Sequence, residues 1–157
     1  MAHPQLLLSN QLCFRFYALE RELMAAYRPV LDQLGLTYAQ YITLLYLWEH
    51  DKATVGELCS ALSLDTGTVS PLLKRLETAK LVERKRLPSD ERTVEVRLTK
   101  KGRDLEQRAI SIPEHIGSCL LSGDKEAQGK RFSLLQEMLD ETLEQLRTTR
   151  KGRPEKK

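Results

Sequence analysis

Hydrophobic spacing leaves the helical period at one place along this chain, and that change constrains the fold more than any single motif does. Up to Leu76 the apolar residues recur every three or four positions, as on one face of a helix, whereas in TVEVRL (residues 93–98) they alternate. The alternation sets Val94, Val96 and Leu98 on one side and Thr93, Glu95 and Arg97 on the other, which predicts a strand with one wet face. Residues 81–86 are its expected partner, with LPSDER (residues 87–92) as the turn between them. The expected class is therefore mainly α with one small β-ribbon. At 157 residues the chain suits one domain, or one whose core is completed by a partner.

The helical segments carry local punctuation. Residues 6–27 place Leu8, Leu12, Phe16, Leu19, Leu23, Met24 and Tyr27 at helical spacing; Pro29 is expected to kink or end that helix, and Gly35 to stop it. Thr37 is placed to cap a second helix through YAQYITLLYLWEH, apolar on nearly every side and so buried. Thr54-Val-Gly-Glu57 has the form of a capping box opening a short third helix, with Val55, Leu58 and Leu62 inward. Asp65 is placed to cap a fourth, whose core face is Val69, Leu72, Leu73 and Leu76. Pro71 inside it would forfeit the bond to Gly67, so an alternative start at Pro71 with Ser70 as cap stays open. Thr99 opens a fifth helix, Pro113 interrupts it, and SGD (residues 122–124) precedes a last helix ending near Arg147. The tail RKGRPEKK reads as disordered.

Net charge is only +3, but its distribution is uneven. Residues 74–103 hold eleven Lys or Arg against five Asp or Glu, residues 147–157 hold six against one, and the remainder of the chain is acidic. A basic block inside a folded region is the electrostatic footprint expected for a polyanion. Two short helices joined by a turn, followed by a basic two-stranded ribbon, have the order of a winged helix-turn-helix. The second helix of such a unit enters the major groove of double-stranded DNA, N-terminal residues toward the base edges. Here those residues are Asp65, Thr66, Gly67, Thr68 and Ser70, with Lys74 and Arg75 one turn on. The ribbon carries Arg84, Lys85 and Arg86, and near its tip Asp90 and Arg92. An arginine there suits a narrow minor groove, and Asp90 can hold the Arg92 guanidinium extended.

Other classes are disfavoured. No apolar run approaches the roughly 20 residues of a membrane span and no signal-peptide layout is present, so the expected place is the cytoplasm, with no membrane partner. Cys13, Cys59 and Cys119 are odd in number and far apart, which argues for free thiols in a reducing compartment. His3, His50 and His115 show no ligand spacing with them; neither a metal nor another cofactor is expected. Cys13 is set in NQLCFRFY among Leu12, Phe14, Phe16 and Tyr17, and shares a helix face with Tyr17. Taken without context, such a cysteine is ordinary core filler, as Cys59 beside Leu58 is expected to be. Tyr27, fourteen residues on, returns to the same stripe but roughly 21 Å along the axis, so only a second chain's Tyr27 could approach Cys13.

LDTGTVSPLLKRLE followed by ERKRLPSDERTVEVRLTKKG resembles the MarR family of bacterial regulators, including its Asp-x-Arg wing pattern, while NQLCF and AYRPVLDQLGLTYAQYITLLYLWEH resemble its organic-hydroperoxide-sensing OhrR branch. The resemblance runs from about Asn10 to Leu120 and is weaker through the last helix. It implies a homodimeric repressor that binds operator DNA and leaves it when a cysteine is oxidised by an organic hydroperoxide; it does not imply an enzyme. Its expected organisation is an N-terminal dimerisation helix with the sensing cysteine (residues 1–36), a winged helix-turn-helix (37–100), C-terminal dimerisation helices (101–147) and a basic tail (148–157). By similarity, Tyr17, Tyr27 and Tyr38 line the peroxide-reactive pocket, Tyr27 and Tyr38 acting from the other subunit, and Phe14 and Phe16 favour organic peroxides. Cys119 corresponds to the resolving cysteine of the two-cysteine type, which implies a disulfide from Cys13 to Cys119 of the partner subunit. Its neighbours Ile116 and Leu120 fit a core position equally, in which case a small cytosolic thiol would pair with Cys13 instead. Two other readings stay open: a MarR-type regulator released by a small phenolic ligand, and a thiol peroxidase.

Overall fold

The computed structural model describes residues 3–87, 90–121 and 123–151, without the side chains of Leu87, Asp90, Glu91, Arg92 and Lys151. It divides into two compact units, residues 1–112 and 113–157. In the first, the helices are α1 (Leu12–Asp32), α2 (Tyr38–His50), α3 (Val55–Leu62), α4 (Thr66–Thr78) and α5 (Lys100–Ala109), with strands β1 (Lys52–Thr54), β2 (Val82–Leu87) and β3 (Asp90–Leu98). Helix α6 (Ile112–Leu120) opens at the boundary, and α7 (Lys125–Lys151) fills most of the second unit. The winged helix-turn-helix expected from the sequence is this α3–α4–β2–β3 arrangement.

Four expected caps form as read. Thr37 accepts from the Gln40 backbone, with the Gln40 side chain returning to the Thr37 N–H. Thr54 and Glu57 make the same reciprocal pair, Asp65 accepts from the Thr68 N–H at 2.8 Å, and Thr99 accepts from that of Gly102 at 3.0 Å. Each satisfies donors that a helix start leaves open.

The N-terminus departs from expectation. The helix read over residues 6–27 starts at Leu12, behind two 3₁₀ turns (Pro4–Leu6 and Leu8–Asn10). Asn10 donates to the Pro4 carbonyl at 2.8 Å and Gln11 to that of Gln5 at 2.6 Å, so side chains take acceptors a continuous helix would have used. Pro29 does not end α1: Ala25, whose carbonyl it leaves without an N–H, is exposed, and water can fill that place. The helix stops where Gly35 adopts φ 68° and the Leu36 N–H returns to the Leu31 carbonyl. At the other end α7 runs past Arg147 to Lys151; the remainder of the expected tail lies outside the described residues.

The sheet holds three strands, in the order β1-β3-β2, all antiparallel. β1 has no signal in the sequence reading, and it changes one expectation. Glu95, read as wet, is 8% exposed, because β3 is the central strand and Thr54 and Lys85 flank Glu95 on either side. Its carboxylate meets Arg97 at 2.5 Å and Lys52 at 3.4 Å, and the Arg97 bond chiefly holds it below the ordinary carboxylate range. Val96 and Leu98 face the core with Leu58, Val69, Leu73 and Leu76, while Tyr41, Leu44 and Leu47 of α2 close it.

One joint ties these layers. Trp48 Nε1 of α2 donates to the Gly102 carbonyl at 2.9 Å, and Thr99 Oγ1 donates to the Lys80 carbonyl, just beyond α4, at 2.7 Å. A Cβ on Gly102 would lie 2.1 Å from the Leu81 carbonyl oxygen. Gly102→Ala is therefore expected to destabilise the protein by about 1–3 kcal/mol in urea unfolding. Gly129→Ala, in open space on α7, should be neutral or stabilising. Equal midpoints for the two variants would refute the joint.

Candidate functional site

The candidate DNA face begins at the α3–α4 turn. Ser63 adopts a left-handed φ of 54°, the Leu64 N–H returns to Cys59, and Asp65 starts α4. Pro71 lies inside the helix, so the alternative start at residue 71 does not hold. Val69, Leu72, Leu73 and Leu76 are buried, which turns Gly67, Thr68, Pro71, Lys74 and Arg75 outward. Thr66 is exposed and Ser70 half-buried. Asp65 is occupied by capping: one carboxylate oxygen takes the Thr68 N–H and the other its hydroxyl at 3.2 Å, holding the acid below the usual range. Cys59 is half-buried, its Sγ 3.8 Å from Thr66 Oγ1.

The ribbon sorts its basic residues by face. Arg84 and Arg86 lie opposite Val96 and Val94, and Lys85 lies opposite Glu95 on the other face. Arg86 is exposed. Arg84, grouped with the DNA contacts in the sequence reading, is engaged within the chain: its Nε and Nη2 donate to Glu77 Oε2 of α4 at 3.0 and 2.6 Å. The Asp90–Arg92 pairing lies outside the described residues.

The thiol neighbourhood is split along α1. Cys13 is a free, exposed thiol in the first turn, where a helix presents unpaired N–H groups and the positive end of its dipole. Phe14, Phe16 and Tyr17 beside it are also exposed. Tyr17 lies against Phe14, ring centroids 6.4 Å apart, and Arg21, whose guanidinium donates to the phenol at 3.3 Å and lies over the ring. Fourteen residues further along the unbroken helix, roughly 21 Å away, Tyr27 packs on Tyr38 with ring centroids 4.9 Å apart, and on Tyr41 at 5.9 Å. One chain thus brings Tyr27 to Tyr38 and keeps both from Cys13. Cys119 is free and exposed on α6 of the second unit.

Sequence reasoning missed Tyr41, Trp48 and Glu77. Tyr41 lies three residues from Tyr38 and was legible only as one more apolar position of α2. It is 1% exposed and stacks edge-on to Trp48 at 6.4 Å. Among the described residues there is no His/Cys/Asp/Glu cluster able to hold a metal, and no helix long and apolar enough to cross a membrane.

Burial, then the neighbouring phenols of Tyr38 and Tyr41, pushes the Tyr27 phenol from 10.0 up to about 12. Tyr27 is therefore a neutral hydrogen-bond donor near pH 7. Because its folded value lies above its unfolded one, the stability it contributes is complete below pH 10 and is lost as pH rises toward 12. Ultraviolet titration of the phenols should show a last step near pH 12 that Tyr27→Phe removes. An unchanged alkaline limb in that variant would contradict this packing.

A sequence profile described as transcriptional regulator SarA/Rot matches residues 25–109. The chain is 45% identical over 132 residues to the organic hydroperoxide resistance transcriptional regulator of Bacillus subtilis, covering 82% of this chain and 90% of that protein. It superposes on reduced AbfR bound to DNA, a Staphylococcus epidermidis protein, with a TM-score of 0.72 and 36% identity, over 88% of this chain and 93% of that one. Against disulfide-formed AbfR the TM-score is 0.64, over 88% and 91% of the two chains at the same identity. MarR itself has the same fold, with a TM-score of 0.71 at 24% identity, over 83% and 95%. With the winged helix-turn-helix in place and these relatives spanning most of its length, the chain belongs to the MarR family of transcriptional regulators, in the branch of the organic hydroperoxide resistance regulators.

Proposed function

We propose that this protein is a cytoplasmic, homodimeric repressor that binds operator DNA and releases it when Cys13 is oxidised by an organic hydroperoxide. The observation that carries the reading is Cys13 itself, a free exposed thiol in the first turn of α1 among exposed aromatic side chains, on a chain of this family. The Cys13 thiolate attacks the distal peroxide oxygen, the O–O bond breaks, and the products are a sulfenic acid and, after protonation, an alcohol. Phe14 and Phe16 supply an apolar approach that favours an organic peroxide over hydrogen peroxide. Tyr17, and Tyr27 and Tyr38 of the partner subunit, donate hydrogen bonds that favour the anionic sulfur. The neutral state of Tyr27 suits that role.

In the second step the Cys119 thiol of the partner subunit attacks the sulfenic sulfur, forming a disulfide and releasing water. A disulfide needs Cα atoms within about 7 Å, so any wider resting gap obliges helices to move. Half-sites about 34 Å apart tolerate little change in the spacing of the two α4 helices. Thr66, Gly67, Thr68, Ser70, Lys74 and Arg75 are assigned to the major groove, Arg86 to the flanking backbone, and Arg92 with Asp90 to the minor groove. The exposed apolar residues of α1 and α7, among them Leu12, Phe16, Leu19, Leu134, Met138 and Leu146, fit an interface between two copies.

A phenolic effector is the second reading, favoured by a cavity of about 260 Å³ whose lining includes Met24, Tyr27, Arg28 and Tyr38. Its size falls just under the common range for small-molecule sites. Gel shifts and non-reducing electrophoresis after cumene hydroperoxide treatment separate the two. Wild type should release DNA and run as a covalent dimer; Cys13→Ser should bind DNA and ignore the peroxide; Cys119→Ser should form no covalent dimer. Release of Cys13→Ser by peroxide at the wild-type dose would sink the thiol switch.

A further inference from the structure

We infer that Glu77 is a positioning residue for DNA binding: through Arg84 it fixes the wing to the DNA-reading helix, so an acidic side chain beside the DNA face strengthens binding. The inference rests on the DNA-binding reading above and adds a device to it.

Electrostatics alone assigns Glu77 the opposite sign. It lies in the last turn of α4, where the helix dipole disfavours an anion. It also sits on the helix assigned to a polyanion, where a carboxylate repels phosphate. What offsets both costs is Arg84, two of whose guanidinium nitrogens meet one Glu77 oxygen at 3.0 and 2.6 Å. That fork holds the Glu77 carboxyl below the ordinary range, chiefly through the hydrogen bond. The stem of Arg84 is fixed as well, because its strand position pairs with Val96, which is fully buried.

Both side chains remain partly open to water, 38% for Glu77 and 30% for Arg84. A pair so exposed adds little to folding stability. Its consequence is geometric: it spans α4 and β2, the two elements whose relative placement decides whether helix and wing can engage adjacent grooves together. Two residues on along the same face of β2, Arg86 is exposed beyond the pair. The division of labour is that Arg84 anchors and Arg86 reaches.

The test uses full-length protein and a duplex that the wild type has selected from a random-sequence pool, read by fluorescence anisotropy across a salt series. If Arg84 were a phosphate contact restrained by Glu77, Glu77→Ala would free it and tighten binding. Arg84→Gln would then flatten the salt dependence by about one phosphate's worth. As an anchor, Glu77→Ala weakens binding by about 2- to 5-fold, the scale of an exposed charge-assisted pair. Arg84→Lys, which keeps the charge and loses the fork, weakens it equally. The salt slope stays unchanged, and the exchanged pair Glu77→Arg/Arg84→Glu recovers most of the affinity.

Tighter or unaltered binding by Glu77→Ala overturns the inference, as does failure of the exchanged pair in protein that melts at the wild-type temperature. Should the wild type select no duplex, the DNA-binding reading fails. Amide hydrogen exchange across β2 and β3 then decides the anchor independently: faster exchange in Glu77→Ala supports it, and identical exchange refutes it.

Discussion

The indole N–H of Trp48 and the carbonyl of Gly102, 2.9 Å apart, form the joint on which the arrangement of the first unit rests. A tryptophan facing the core needs a partner for its one donor, and a helix start has carbonyls already committed to the following turn. Residue 102 has no side chain. Its missing Cβ leaves room for the Leu81 carbonyl to come against the first turn of α5. Thr99 completes the joint by capping α5 while donating to Lys80, at the turn that follows α4. Three chain segments far apart in sequence are thereby held at one point: the middle of the domain, the end of α4 and the exit from the wing.

Around that joint the polar residues divide by how much freedom the fold leaves them. Asp65, Glu57 and Glu77 all lie near the candidate DNA face, and each is engaged by a donor of its own chain. A carboxylate committed in this way presents less free charge to phosphate than a solvated one, which is how a basic surface keeps acidic residues within it. The cations divide likewise. Arg84 is engaged by Glu77, Arg97 by Glu95 and Arg103 by Asp51, whereas Lys74, Arg75 and Arg86 stand exposed on the α4 and β2 surface. Formal charge along the sequence therefore overstates the number of side chains available to DNA.

What was legible in the sequence was local. A capping box is read from residues three apart, and Thr37, Thr54, Asp65 and Thr99 all cap as their spacing requires. The β2–β3 ribbon was legible because alternation on a half-buried sheet is a strong signal. β1 was not, since three residues cannot establish a period, and Lys52–Thr54 becomes a strand only because β3 offers an edge. The burial of Glu95 followed from that same unseen neighbour. Pro29 and Pro71 misled or left doubt because a proline's cost depends on whether water can reach the freed carbonyl, which is a property of the folded surface. Arg84 was legible as a basic residue on a basic ribbon, but its partner on α4 is a tertiary fact. The thiol site was legible in its residue types, and its separation along α1 followed from helical rise alone.

That separation gives the proposed switch its logic. Cys13 and Tyr27 ride one unbroken helix, so no side-chain rotation closes roughly 21 Å between them. Two copies of α1 crossing about a twofold axis can close it, because the far end of one helix then meets the near end of the other, and symmetry makes both junctions equal. In such a pair each sulfur depends on phenols it does not own. Oxidation of one atom would then alter a contact shared by both subunits, a direct way to reset the distance between the two α4 helices. A thiol whose pocket closed within one subunit would have no such lever. Its chemistry would first have to travel through Tyr41, Trp48 and the α5 joint, where closely packed side chains resist displacement.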